Sequence, residues 1–326
     1  MSLYHTLILS GGGTKGLSIL GSLQYMQDTK RIDCEKVTLF IGTSIGAIIS
    51  YFLAIGYTPM ELVVWLCSHP VLESLSLNHF DGIVKGDGVY QYSILEKAYE
   101  EMTKEKIEYI PTLRNIKERF GKELVMCTYN FTKKKKEYIS WKTHPDLSCL
   151  DAMRMSSNLP FIFSPFWYNG DEYVDGGIVE NFSFTSIPFL VNKNEMEKNE
   201  MENKNENENI EVVLYIDGKR INEEKKEKGI CGICLDNDVE KEEEKEEEES
   251  KKYNKLTVIL DKVYDLMMVP ISEYEKVMIE KYKRQIELII IHVKGVKIYT
   301  FQLPQSEKLE LFSLGYNRTK EHFKTF

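Results

Sequence analysis

No stretch of this 326-residue chain reaches the roughly 18–20 consecutive apolar residues that a membrane-spanning helix needs. The longest candidate, Ile45 to Tyr57, is too short and reads as a core helix. Cationic excess is missing as well: the formal net charge is −9, so the electrostatic footprint of a duplex-binding protein is absent and nucleic acid is not an expected partner. Six cysteines are too few for a disulfide framework at this length, and Cys34, Cys67, Cys127 and Cys149 sit singly among apolar residues, as free buried thiols do in a reducing compartment. The six histidines (5, 69, 79, 144, 292 and 322) form no motif, and no metal ligand set is expected. The start, Met1-Ser2-Leu3-Tyr4-His5, has no basic segment leading into an apolar one. No signal peptide is read there, and a cytoplasmic location is expected.

The negative charge is concentrated. Residues 193–209 hold three lysines against six glutamates, and residues 219–252 hold nine basic against thirteen acidic residues, which leaves the remainder close to neutral. With 42% hydrophobic residues, that remainder can bury a sizeable core. The chain is therefore expected to be one domain, 1–326, interrupted by low-complexity charged insertions at 192–209 and 219–252 that lack periodic hydrophobicity. Cys231-Gly232-Ile233-Cys234 falls inside the second insertion. Two thiols are half a zinc site, and no thioredoxin-like strand and helix surround them.

Periodicity supplies the frame. Leu7-Ile8-Leu9 reads as a short strand, followed by Ser10-Gly11-Gly12-Gly13-Thr14-Lys15-Gly16 and a helical stripe from Leu17 to Asp28. Val37 to Ile41 reads as a second strand, followed by Gly42-Thr43-Ser44-Ile45-Gly46 and an apolar helix. Such a β-α-β-α start argues for an α/β fold with a mostly parallel sheet covered on both faces. Thr58-Pro59 opens a helix with Thr58 as N-cap. Residues 124–129 and 137–140 read as a hairpin whose turn holds the lysines of 133–136, either a solvated turn or a polybasic patch. Residues 147–157 are helical. Further helices are expected over 256–268, 274–284 and 306–323, the last interrupted at Gly315. Strands are expected over 211–216, 286–292 and 297–301.

Two glycine-rich turns could carry chemistry. Ser44 between Gly42 and Gly46, at a strand-to-helix switch, has the spacing of a nucleophile elbow, in which a strained turn exposes a serine at a helix N-terminus. Gly11-x-Gly13-x-x-Gly16 formally fits a dinucleotide fingerprint, but the acid expected at the end of the second strand is missing and Ser44 stands there instead. The same glycines could present backbone amides to an oxyanion. A base for Ser44 could come from Asp175, on the Asp175-Gly176-Gly177 turn, or from a Ser-Asp-His order completed by His292. A non-enzymatic dinucleotide- or acyl-binding module is a further alternative.

Taken together, these motifs resemble the patatin-like phospholipase family. The resemblance rests on Gly11-Gly12-Gly13-Thr14-Lys15-Gly16, on Gly42-Thr43-Ser44-Ile45-Gly46, on Asp175-Gly176-Gly177, and on Met155-Ser156-Ser157-Asn158-Leu159-Pro160, where Ser156 replaces the usual alanine. Ser183 stands where the family often has proline, and the charged insertions have no family counterpart. The resemblance implies a three-layer α/β/α fold and a lipid acyl hydrolase acting through a Ser44–Asp175 dyad and an acyl-enzyme. Gly11, Gly12 and Gly13 would form the oxyanion hole, supported by Lys15, Gly16, Gly42, Gly46, Gly176 and Gly177. It further implies a phospholipid or other acyl-lipid substrate, peripheral membrane contact, and no metal or other cofactor.

Overall fold

The computed structural model describes residues 4–72, 74–75, 88–186, 215–216, 219–220, 230–236, 255–282, 286–296 and 300–324. Its centre is an eight-stranded mixed sheet. Strands β1 (Thr6–Leu9), β2 (Leu39–Thr43) and β3 (Glu123–Asn130) run parallel, and β4 (Lys135–Ser140) returns antiparallel beside β3. Strand β5 (Phe166–Tyr168) pairs antiparallel with β6 (Asp171–Asp175), and β6 pairs antiparallel with β3. A two-stranded ribbon, β7 (Tyr215–Ile216) and β8 (Lys219–Arg220), stands apart. Strands β9 (Ile230–Asp236) and β10 (Glu287–His292) complete the parallel half, in the order β10-β9-β1-β2-β3.

Alternation along the strands loads both faces of the sheet. Leu7, Leu9, Phe40 and Met126 point into the larger apolar core, and Ile8, Ile41 and Val125 into a smaller one. A sheet buried on both faces is the arrangement that near-continuous apolar strands require. Helices α1 (Gly16–Asp28), α2 (Ile45–Ala54) and α3 (Pro59–Ser68) follow β1 and β2 in chain order. Thr58 caps α3 as the sequence predicts: its hydroxyl accepts from the Glu61 amide at 3.2 Å, and the Glu61 carboxylate accepts from the Thr58 amide at 2.7 Å. Helices α4 (Ser93–Ile107), α5 (Leu113–Phe120) and α6 (Cys149–Ser157) lie around β3 and β4 in sequence, and α7 (Lys255–Tyr282) and α8 (Gln305–His322) flank β10.

Three expectations change. The segment 219–252 is not wholly a polar insertion, because β9 lies within it and pairs with both β1 and β10. Cys231, Ile233 and Leu235 join the larger core, and Ile230 and Cys234 the smaller. Short apolar alternation suffices for a strand buried between two neighbours, and averaging over the charged flanks hides it. The two thiols therefore occupy opposite faces of the sheet and cannot share a metal ion. The rest of that insertion apart from β8, and all of 192–209, lie outside the described residues, as do 211–214 and 297–299.

Second, α7 is one helix running through Pro270, not two. Leu266, four residues earlier, is exposed, so water can satisfy the carbonyl that proline leaves without a donor. Third, α8 runs unbroken through Gly315. A Cβ at Gly315 would lie 1.8 Å from the Ser18 carbonyl oxygen, and one at Gly21 would lie 1.9 Å from that of Phe312. Both glycines serve the close approach of α1 and α8, where Thr319 Oγ1 donates to Ser22 Oγ at 2.6 Å.

The lysines of the β3–β4 turn are individually engaged. Lys133 pairs with Asp171, Lys135 with Glu137 at 3.0 Å, and Lys136 with Glu180 at 2.8 Å, while Lys134 lies over the Phe131 ring. Locally paired charges offer little free field to a polyanion, which favours the turn over the polybasic patch.

Candidate active site

Ser44 joins β2 to α2 with φ 54° and ψ −122°, a left-handed conformation that a non-glycine residue adopts only where surrounding packing enforces it. The flanking glycines explain how. A Cβ on Gly42 would fall 2.4 Å from the Ala47 amide nitrogen, and one on Gly46 would fall 2.3 Å from the Leu9 carbonyl oxygen. The turn folds onto itself and onto β1, and only glycine fits at those two positions. The Ser44 amide donates to Ser156 Oγ at 3.1 Å, and that hydroxyl donates to the Cys127 carbonyl at 2.6 Å. Ser156, the departure from the family's alanine, thus ties the elbow to β3.

Register brings Asp175 to the serine. Strand β4 occupies one edge of β3 along its whole upper half, so β2 and β6 must share the other edge. Thr43, the last residue of β2, is registered with Cys127, and Asp175, the last of β6, with Thr128. Two strands running in opposite directions thus end against consecutive residues of β3. The result is a 2.6 Å hydrogen bond from Ser44 Oγ to Asp175 Oδ2.

The other carboxylate oxygen accepts from the Gly177 amide at 2.7 Å, and a Cβ on Gly176 would lie 2.3 Å from the Cys127 carbonyl oxygen. Asp175 is 1% exposed, and this burial pushes its pKa up to about 6 against the pull of both hydrogen bonds. Ser183 earns its place too: its hydroxyl meets that of Thr43 at 2.8 Å, and Thr43 also donates to the Glu180 carbonyl.

The glycine loop lies alongside. A Cβ on Gly11 would come 3.2 Å from that of Ser44. The Gly11 amide is already committed, donating to the Asn181 carbonyl at 3.0 Å. Gly12 (φ 154°) and Gly13 (φ 57°) donate no such hydrogen bond among the described residues. Gly16 has no room for a Cβ, which would sit 2.4 Å from Ile45 Cγ1. Lys15 is buried within the loop's short 3-10 turn, where its carbonyl accepts from Ser18.

His292 is not brought to the serine. It ends β10, exposed, opposite Asp236, and β9 and β1 separate it from β2. Three interstrand spacings amount to about 14 Å. Among the described residues no histidine hydrogen-bonds Ser44 or Asp175, and no group of three His, Cys, Asp or Glu side chains could hold a metal.

Beyond Ser44 lies an apolar cavity of about 110 Å³, bordered by Gly13 and Thr14 and walled by Leu20, Ile48, Phe52 and Met102. It follows α2 from Ser44 to Phe52, eight residues and hence about 12 Å. Nothing in the periodicity marks these positions as lining space instead of filling a core.

A family model described as Patatin-like phospholipase matches residues 7–187, more than half of the chain. The chain belongs to this family. The matched span of the patatin-like domain runs from β1 past the Asp175 turn and stops before β9 and β10, which complete its sheet. Among curated relatives, the probable lipid hydrolase 463L of Invertebrate iridescent virus 6 is 32% identical over 200 residues, 60% of this chain and 68% of that protein. The uncharacterized protein YqhO of Bacillus subtilis (strain 168) is 27% identical over 191 residues, 54% of this chain and 64% of its own length. Of solved structures, VipD from Legionella pneumophila aligns with a TM-score of 0.49 and 16% identity, covering 99% of this chain and 67% of that one. Among the described residues of this family member, no single helix is long and apolar enough to cross a membrane.

Proposed function

We propose that this protein is a lipid acyl hydrolase working through a Ser44–Asp175 dyad. One observation carries the reading: a 2.6 Å hydrogen bond joins a strained elbow serine to a buried carboxylate at the end of an apolar cavity. Asp175 takes the Ser44 proton as Oγ attacks the ester carbonyl carbon. The Gly12 and Gly13 amides, with the N-terminus of α2 behind Ser44, oppose the charge on the tetrahedral oxygen. Collapse returns the proton from Asp175 to the departing alcohol and leaves the acyl group on Ser44. Water, losing a proton to Asp175, then attacks that ester. The fatty acid departs and Oγ is reprotonated.

The cavity supplies the substrate class, because its walls are mostly aliphatic and aromatic side chains, which suit an acyl chain better than a nucleotide. A dinucleotide reading lacks the ribose-binding acid, and Ser44 occupies its place. The iridovirus relative's name agrees with an activity on lipids. Peripheral contact with a lipid surface follows from such a substrate, and exposed Phe161, between cavity residues Leu159 and Phe163, is a candidate for it.

A fluorophosphonate probe should label the wild-type protein at Ser44 and leave Ser44→Ala unlabelled. Fatty acid release from a dispersed short-chain glycerolipid should vanish in the same variant. Labelling elsewhere, or full release by Ser44→Ala, removes the dyad.

A further inference from the structure

A second cleft opens beside the acyl cavity, and Tyr92 lines both. Arg154 lies across the Tyr92 ring, its guanidinium 3.6 Å from the ring centroid, and the Phe166 ring is 5.7 Å from the same group. Arg154 is only 8% exposed. Its Nη2 donates to the Ser164 carbonyl at 3.0 Å and to the Ser164 hydroxyl at 3.2 Å. Its Nε is enclosed and has no acceptor among the described residues. The carboxylates that act on it, Glu96 and Asp151, do so through space, and Asp151 is already bonded to Ser148. Nε is closed off from the cleft, so a ligand would meet the guanidinium at Nη1, which makes no hydrogen bond among the described residues. A desolvated cation is costly unless an acceptor completes it, and a guanidinium suits phosphate oxygens.

The cleft is not purely cationic. Glu96, exposed on the first turn of α4, lines it together with Gln91, Ser93 and Ser164. A simple anion at Arg154 would face this carboxylate. A ligand bearing both a phosphodiester and an ammonium would meet Arg154 with one charge and Glu96 with the other. We propose that the cleft is a headgroup subsite for a zwitterionic phospholipid: Arg154 takes the phosphodiester and Glu96 the ammonium, while an acyl chain enters the cavity on the other side of Tyr92. This inference rests on the acyl-hydrolase reading, which makes the cavity an acyl site.

The test is calorimetric titration of full-length Ser44→Ala protein with dihexanoyl lipids kept below micelle formation. Dihexanoylphosphatidylethanolamine should bind at least tenfold more tightly than either dihexanoylglycerol or dihexanoylphosphatidic acid. Adding Glu96→Lys should invert the order of the phosphatidylethanolamine and the phosphatidic acid. Adding Arg154→Gln should erase the advantage over dihexanoylglycerol; if that variant does not fold, the exposed Glu96→Lys change still decides. Equal affinity for phosphatidylethanolamine and diacylglycerol, or an unchanged order in Glu96→Lys, overturns the proposal. Glycerophosphoethanolamine binding as tightly as the lipid also overturns it, since the cleft would then serve a soluble phosphoester. Hydrolysis is read separately, as wild-type turnover of p-nitrophenyl butyrate. Turnover without headgroup discrimination sinks the subsite alone; discrimination without turnover sinks the hydrolase reading and leaves the subsite standing.

Discussion

Two short segments flank β1 on its opposite edges in this sheet, with opposite histories in the sequence. The Gly42–Gly46 elbow declares itself: glycine spacing around a serine has few uses, and the structure puts a strained turn there. Ile230–Asp236, flanked by charged tracts, passes for part of a solvated insertion, yet it is an interior strand beside β1. The difference is physical. The elbow is specified by backbone sterics, which act over five residues and leave a local signature. Strand β9 is specified by burial between β1 and β10, which no local window contains.

The harshest test of that contrast is to remove β9. Replacing 222–250 with a short Gly/Ser linker, which a purely polar insertion would tolerate, should abolish cooperative unfolding in thermal melts. A milder version is Ile233→Ala, expected to cost about 2–5 kcal/mol in denaturant titrations, because a fully buried side chain leaves a cavity.

On the elbow side the loss should be of activity instead of fold. Ser44→Ala should lower ester turnover by roughly four to six orders of magnitude with a near-native melting curve. Asp175→Asn should come close to it, since an amide cannot accept the serine proton. His292→Ala should leave turnover within about twofold, given the roughly 14 Å that separate it from the serine. An inactive His292→Ala protein with a normal melt would break the dyad.

The smallest effect concerns pH. With its folded pKa at about 6, above the ordinary 3.8, Asp175 binds more protons in the folded state than in the unfolded one between those values. Its contribution to stability therefore falls as pH rises through that window, while its competence as a base rises. Turnover should drop below pH 6 as the melting temperature gains, and Asp175→Asn should flatten the second trend. A histidine base would titrate in nearly the same range, so the pH profile does not separate dyad from triad; the two substitutions do.

The amino-acid sequence alone determined the β-α-β-α start, the elbow, the glycine loop, the Asp175 turn and the capped helix at Thr58, because each depends on a few neighbouring residues and their allowed backbone angles. It also held four motif blocks in an order that few families share. Only the tertiary structure decided that Asp175 and not His292 meets Ser44, since that choice turns on which strands share an edge of β3. It decided as well that Gly11 spends its amide on Asn181, that Gly315 continues a helix to let α1 approach, and that Leu20, Ile48 and Phe52 wall a cavity. Arg154 is the plainest case. Nothing around it in the chain distinguishes it from any helical arginine, and only the packing of Tyr92, Phe166 and Ser164 buries it with a donor unspent.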